Sequence, residues 1–148
     1  LIVRTAWLYG PGGPSYVHTL MRMAQEGASE VRAASDQKGC PTSTYAVAAV
    51  IRKLLRSPRL MGTLHLSCGG EASRYDFARA VFELAGLGQK VVPCLSGEIP
   101  GSAVEPRSLK LENRMLGMFG LPPMPDWRTA LADFMRREFS PGAGGSVR

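Results

Sequence analysis

Side chains able to do acid–base or covalent chemistry are few and widely spaced in this sequence. Of its two histidines, His18 falls on the polar side of an amphipathic segment and His65 at the outward phase of an alternating one. Both positions suit a solvated or hydrogen-bonded imidazole better than a catalytic one. Three cysteines, Cys40, Cys68 and Cys94, match neither a disulfide framework nor a zinc C-x-x-C pair, so reduced thiols are expected. No G-x-S-x-G, H-E-x-x-H or G-x-x-x-x-G-K-[ST] occurs. The loop Gly10-Pro11-Gly12-Gly13-Pro14 is glycine-rich, but its prolines remove backbone donors and the spacing G-x-G-x-x-G is absent, so it is read as a turn. No catalytic residue is assigned.

Two places point to binding instead. Trp7 follows an apolar run and precedes the Gly-Pro loop, and ligands collect at the carboxyl ends of strands in open α/β sheets. A flat indole there can stack on a sugar or a nicotinamide ring. The loop Ser35-Asp36-Gln37-Lys38-Gly39-Cys40-Pro41-Thr42 is densely polar directly before a helical pattern, and either caps that helix or faces a ligand.

The elements that must position these residues follow from periodicity. Leu1 to Gly10 reads as one strand buried on both faces. Ser15 caps a helix carrying Tyr16, Val17, Leu20, Met21 and Ala24 on one face, and Gly27 ends it. Strand Glu30 to Ala34 comes next, then a helix from Ser43 to Ser57 closed by Pro58, then a half-buried strand from Gly62 to Cys68. Ser73 with Asp76 forms an acidic capping box for a third helix that stops at Gly86. Val91 to Leu95 is a short strand that Pro93 confines to an edge, followed by a wrapping loop from Ser96 to Arg107. Leu109 to Phe119 reads as a helix, and Asp126 caps a last one through Trp127, Ala130, Leu131 and Phe134. Strands alternate with helices, so the fold class is α/β, with a small helical lobe after Leu95.

At 148 residues, 45% apolar and 20% charged, the chain fills one core, which excludes a disordered protein. No apolar run reaches membrane-helix length and no secretory leader is visible, so a cytoplasmic location without membrane attachment is expected. The net charge of +6 comes from groups such as Arg52, Lys53, Arg56 and Arg59 and the pair Arg136-Arg137, which sit at helix ends without aromatic interleaving; nucleic acid is not an expected partner. The first residue is Leu, and a strand buried on both faces needs neighbours on either side, so residues upstream are expected.

Arg4-Thr5-Ala6-Trp7, Asp36-Gln37-Lys38-Gly39-Cys40-Pro41-Thr42, Gly62-Thr63-Leu64-His65-Leu66, Arg74-Tyr75-Asp76-Phe77-Ala78 and Pro125-Asp126-Trp127, taken in order, resemble the C-terminal half of a dTDP-4-dehydrorhamnose reductase, an extended short-chain dehydrogenase/reductase. The resemblance implies the C-terminal part of a Rossmann-like fold with its small substrate-binding lobe, over residues 1–139, and a disordered tail over 140–148. It implies reduction of the 4-keto group of dTDP-4-dehydro-L-rhamnose by NADPH or NADH, in the formation of the activated rhamnose used in cell-surface polysaccharide. The family's glycine-rich turn and its Tyr-x-x-x-Lys pair would lie upstream; the residues four after Tyr9, Tyr16, Tyr45 and Tyr75 are Gly13, Leu20, Ala49 and Arg79. The 148 residues alone are therefore expected to be inactive, with the missing N-terminal half as their partner.

By the same resemblance Thr5 and Ala6 lie beside the cofactor, and Trp7 beside the sugar. Asp36, Gln37 and Thr42 shape the substrate side. The family segment Ala-x-Arg-Pro aligns with Ala103 to Pro106, with Glu105 at the arginine position and Arg107 as the substitute substrate contact. A homodimer and a magnesium ion are both compatible with this reading. Its rivals are another nucleotide-sugar reductase or epimerase, and a non-catalytic regulatory subunit such as the one that resembles these reductases in methionine adenosyltransferase.

Overall fold

A computed structural model describes residues 1–56, 61–101 and 106–139. In chain order the elements are β1 (Ile2–Arg4), β2 (Leu8–Tyr9), α1 (Tyr16–Gln25), β3 (Glu30–Ala34), β4 (Lys38–Gly39), β5 (Thr42–Ser43) and α2 (Thr44–Leu54). They continue with β6 (Thr63–His65), β7 (Ala72–Ser73), α3 (Arg74–Leu84), β8 (Lys90–Cys94), β9 (Ser108–Leu109), α4 (Arg114–Met118) and α5 (Trp127–Phe139). Strands β1 and β6, β2 and β5, and β3 and β8 pair in parallel, while β4 lies between antiparallel β7 and parallel β9. The strands of each parallel two-stranded pair are separated by at least one helix, the crossover that parallel pairing requires, so the α/β expectation holds.

The opening apolar run is not one strand. It breaks at Thr5 to Trp7, where Trp7 takes φ 48°, a left-handed conformation that a strand cannot carry. Beyond the break β2 changes partner, and Thr42 N donates to Trp7 O at 3.0 Å. Nor is the run buried on both faces: Ile2 is 59% exposed, and among the described residues β1 pairs with β6 alone. The predicted helix from Leu109 shrinks to α4. Asn113 explains the loss, because its side chain receives Ser67 N at 2.9 Å and donates to Ser67 O at 2.6 Å, while Ser67 Oγ donates to Leu111 O. These bonds hold residues 110–113 alongside the end of β6 in place of a helical turn.

Local signals elsewhere carry through. Ser73 Oγ accepts from Asp76 N and the Asp76 carboxylate accepts from Ser73 N, each at 3.0 Å, which closes the predicted capping box. Ser15 departs from expectation, since its hydroxyl pairs with His18 Nδ1 at 2.8 Å rather than capping α1. His18 is thus one of the hydrogen-bonded imidazoles expected, half-buried and edge-on to Phe134. The core gathers Tyr9, Phe77, Trp127 and Phe134 with helical leucines and valines; Tyr9 meets Phe77 at 5.3 Å and Phe134 at 5.2 Å between ring centroids. Trp127 N donates to Gly69 O, so the Asp126-Trp127 pair fastens α5 to the turn before β7. Among the described residues no helix is long and apolar enough to cross a membrane. Ser57, Pro58, Arg59 and the expected tail over 140–148 lie outside the described residues.

Candidate functional site

The break after β1 opens one wall of a cleft of about 610 Å³. Trp7, Tyr16, Thr19, Gln37, Arg74 and Pro100 line it, drawn from the break, α1, the loop before β4, the start of α3 and the turn after β8. Backbone geometry brings the indole there. Trp7's left-handed φ turns the chain out of the strand direction, and Gly39 lies so close that a Cβ on it would come within 2.7 Å of the indole Cε2. Only glycine lets β4 approach this ring.

Arg74 completes the arrangement. Its guanidinium sits 3.9 Å from the Trp7 ring centroid and 5.1 Å from that of Tyr16, distances at which a cation and an aromatic face attract. Among the described residues lining the cleft it carries the only formal charge. Burial raises the Tyr16 phenol above its ordinary value against the opposing pull of Arg74, so Tyr16 is a neutral hydroxyl at neutral pH. Two further polar atoms stand out at the break: Thr5 Oγ1 and Trp7 Nε1 are buried with no hydrogen-bond partner among the described residues. A buried group left in this state costs about 1–3 kcal/mol, a strong incentive for a partner from outside the described residues.

The predicted site residues divide. Trp7 and the buried Gln37 line the cleft, while Thr5 and Ala6 occupy the break beside it, outside its lining. Asp36 and Thr42 do not face it. Asp36 accepts from Ser96 N at 2.9 Å and from Ser96 Oγ at 3.0 Å, tying the loop after β3 to the turn after β8. The Ser96 backbone N–H chiefly holds its carboxyl below the ordinary range, with a smaller contribution from Arg107. Thr42 is fully buried, its hydroxyl donating to Cys40 O at 2.7 Å and accepting from Cys68 N at 3.2 Å. Both are internal ties. Arg107 is exposed and absent from the cleft lining, and its backbone oxygen accepts from Lys38 N at 2.8 Å. The Ala103 to Glu105 part of its segment lies outside the described residues.

Sequence reasoning missed Arg74 and Tyr16 as cleft residues. Arg74 stands inside a motif that carries the family resemblance, yet as the first residue of a capped helix it reads as an arginine extended into water. A larger groove, of about 860 Å³, runs between α2 and α5. It holds none of the predicted site residues, and its rim charges Arg136 and Arg137 are paired with Asp133.

Comparison with known proteins places this geometry. A family model described as the RmlD substrate binding domain matches residues 1–139. The chain is 39% identical over 135 residues to a dTDP-4-dehydrorhamnose reductase of Mycolicibacterium smegmatis, covering 89% of this chain and 41% of that protein. It is 34% identical over 139 residues to the spore coat polysaccharide biosynthesis protein SpsK of Bacillus subtilis, covering 94% of this chain and 48% of that protein. A crystal structure of dTDP-4-dehydrorhamnose reductase from Bacillus anthracis in complex with NADP superimposes with TM-score 0.86 at 34% identity, over 90% of this chain and 47% of that one. The chain thus spans about half the length of these relatives and corresponds to their C-terminal half.

Proposed function

Because this chain belongs to the RmlD substrate binding domain family, we propose that it is the substrate-side half of an NAD(P)H-dependent reductase acting on a dTDP-linked 4-keto sugar. The observation that carries this reading is the cleft at the carboxyl end of β1, where an indole, a phenol, an amide and one guanidinium converge beside two partnerless buried polar atoms.

The residues at the break fit a dinucleotide. The Thr5 hydroxyl, buried and without a partner among the described residues, would bond a polar group of the nicotinamide end, with Ala6 next to it in the chain. When bound, NAD(P)H supplies the hydride that adds to the carbonyl carbon. The carbonyl oxygen takes up a proton, and no described residue of the cleft is assigned to deliver it: burial makes Tyr16, its one phenol, a weaker acid than a free tyrosine, and it has no Lys four residues on. This chain's part is to bind and orient. Gln37 and Thr19 offer hydrogen bonds to sugar hydroxyls, and the apolar wall of Pro100 with Trp7 excludes water around them. Among the described residues no cluster of three or more His, Cys, Asp or Glu is arranged to hold a metal ion.

The test uses the product of the complete reading frame containing these residues. It is expected to oxidise NADPH in the presence of dTDP-4-dehydro-L-rhamnose and not in its absence, while the 148 residues alone are expected to do neither. Turnover by the 148 residues, or none by the complete product, would contradict the reading.

A further inference from the structure

Two helices of this chain start alike and differ in their first turn. α2 follows Ser43 of β5 and α3 follows Ser73 of β7, each with a tyrosine two residues on, Tyr45 and Tyr75. At α3 the third helical position is Asp76, whose carboxylate accepts from the Ser73 hydroxyl and N–H while Ser73 Oγ accepts from Asp76 N. At α2 that position is Ala46, the first turn holds no acidic residue, and the Ser43 hydroxyl makes no cap bond. Ser43 is nevertheless only 2% exposed, and what it lines is the groove between α2 and α5. A buried hydroxyl without a partner among the described residues, at a helix start whose dipole favours negative charge, is a donor suited to an anion.

The charges and the walls of the groove agree with that chemistry. Three arginines, Arg52, Arg136 and Arg137, line it against one carboxylate, Asp133, which Arg136 and Arg137 already engage, while Arg52 has no ion pair among the described residues. Ala46, Ala49 and Ala130 supply apolar wall to a volume of about 860 Å³, far more than a carboxylate alone would fill. We propose that this groove binds an amphiphilic carboxylate, its head at the Ser43 hydroxyl and the first turn of α2, where α3 carries Asp76, and its hydrocarbon body against the alanines. The groove shares no lining residue with the cleft after β1, and binding there is independent of the reductase reading.

Calorimetric titration of the complete reading-frame product with octanoate, octanol and acetate is the test. Octanoate is expected to bind at one site, and octanol and acetate each at least about tenfold more weakly, since octanol lacks the charge and acetate the hydrocarbon. In a proton–nitrogen spectrum of alanine-labelled protein, octanoate should move the Ala46 amide signal, which is assigned by its loss in Ala46→Asp. Ser43→Ala should weaken octanoate about tenfold, the effect of one hydrogen bond to a charged group. Ala46→Asp gives α2 the carboxylate that α3 has, and should abolish octanoate binding while raising the thermal midpoint, a gain that a misfolded variant cannot show. NADPH-dependent turnover should be unchanged in both variants, so failure here is distinguishable from failure of the reductase reading. Absence of saturable octanoate binding, octanol binding as tightly as octanoate, or an Ala46 signal that stays fixed overturns the proposal. So does octanoate binding that survives Ala46→Asp, or a thermal midpoint that this substitution leaves unchanged, the mark of a helix start already satisfied.

Discussion

The start of α3 and the break between β1 and β2 handle polar groups in opposite ways. At Ser73 and Asp76 every cap group finds a partner within three residues, and Ser73 Oγ itself donates to the carboxylate at 2.6 Å. At Thr5 and Trp7 a hydroxyl and an indole N–H are buried with none among the described residues, and Trp7 is held at positive φ. The first region is settled by its own sequence neighbours. The second is left with unmet hydrogen-bonding capacity and backbone strain, the combination found where a protein meets a ligand. Removing a polar group should therefore cost stability in the first region and function in the second.

The largest effect is expected in the closed aromatic core on which both regions rest. Phe134 is fully buried and touches Tyr9, Tyr45 and His18 through its ring, so Phe134→Ala should destabilise the chain by about 3–5 kcal/mol in urea unfolding. Gly39→Ala comes next. The added methyl has to displace the Trp7 ring or β4, at a cost of about 1–3 kcal/mol, and should shift the indole emission.

Asp76→Ala removes the N3 half of the capping box, leaving the Ser73 N–H without its carboxylate while the Ser73 hydroxyl still caps the helix, and should cost about 1 kcal/mol at neutral pH. Its pH dependence sharpens the comparison. Burial alone would raise the Asp76 carboxyl, but hydrogen bonds from the Ser73 side chain and backbone, with Arg128 and Arg79 nearby, bring it below its ordinary value. A depressed carboxylate contributes stability above its unfolded pKa of about 3.9 and loses that contribution as pH falls through the folded value. The gap in thermal midpoint between the parent and Asp76→Ala should thus be widest near neutrality and close below about pH 4.

Thr5→Val carries the smallest stability effect and the most informative one. Replacing a partnerless hydroxyl with a methyl of the same shape should change unfolding free energy by less than about 0.5 kcal/mol or raise it, while kcat/KM for NADPH-dependent reduction falls about tenfold. A clear loss of stability would place the Thr5 hydroxyl in the same class as Ser73.

How far the sequence revealed the molecule follows the same division. Glu30–Ala34, the Ser73–Asp76 box and the apolar stripe of α5 were legible because their signals, a short apolar alternation, a cap spacing and a helical period, lie within a few residues of one another in the chain. The left-handed turn at Trp7 was not, since a bulky residue rarely adopts it and its neighbours there, Gly39, Arg74 and the Thr42 N–H, come from distant parts of the chain. Asp36 and Thr42 looked ligand-facing because polar content in a loop does not reveal where its partners are; these proved to be Ser96 and Cys68, far along the chain. Arg74 escaped for the converse reason, being an ordinary helix-start residue until the fold places two aromatic rings beneath it.

The most direct test of the claim that the break after β1 awaits a ligand lies in the two tryptophans of the chain. Trp7 lines the cleft and its indole N–H is buried without a partner among the described residues, whereas Trp127 is sealed in the core. In a proton–nitrogen correlation spectrum of the complete reading-frame product, addition of dTDP is expected to move the Trp7 indole signal and leave that of Trp127 in place. A Trp7 signal that stays fixed at saturating dTDP would contradict the account.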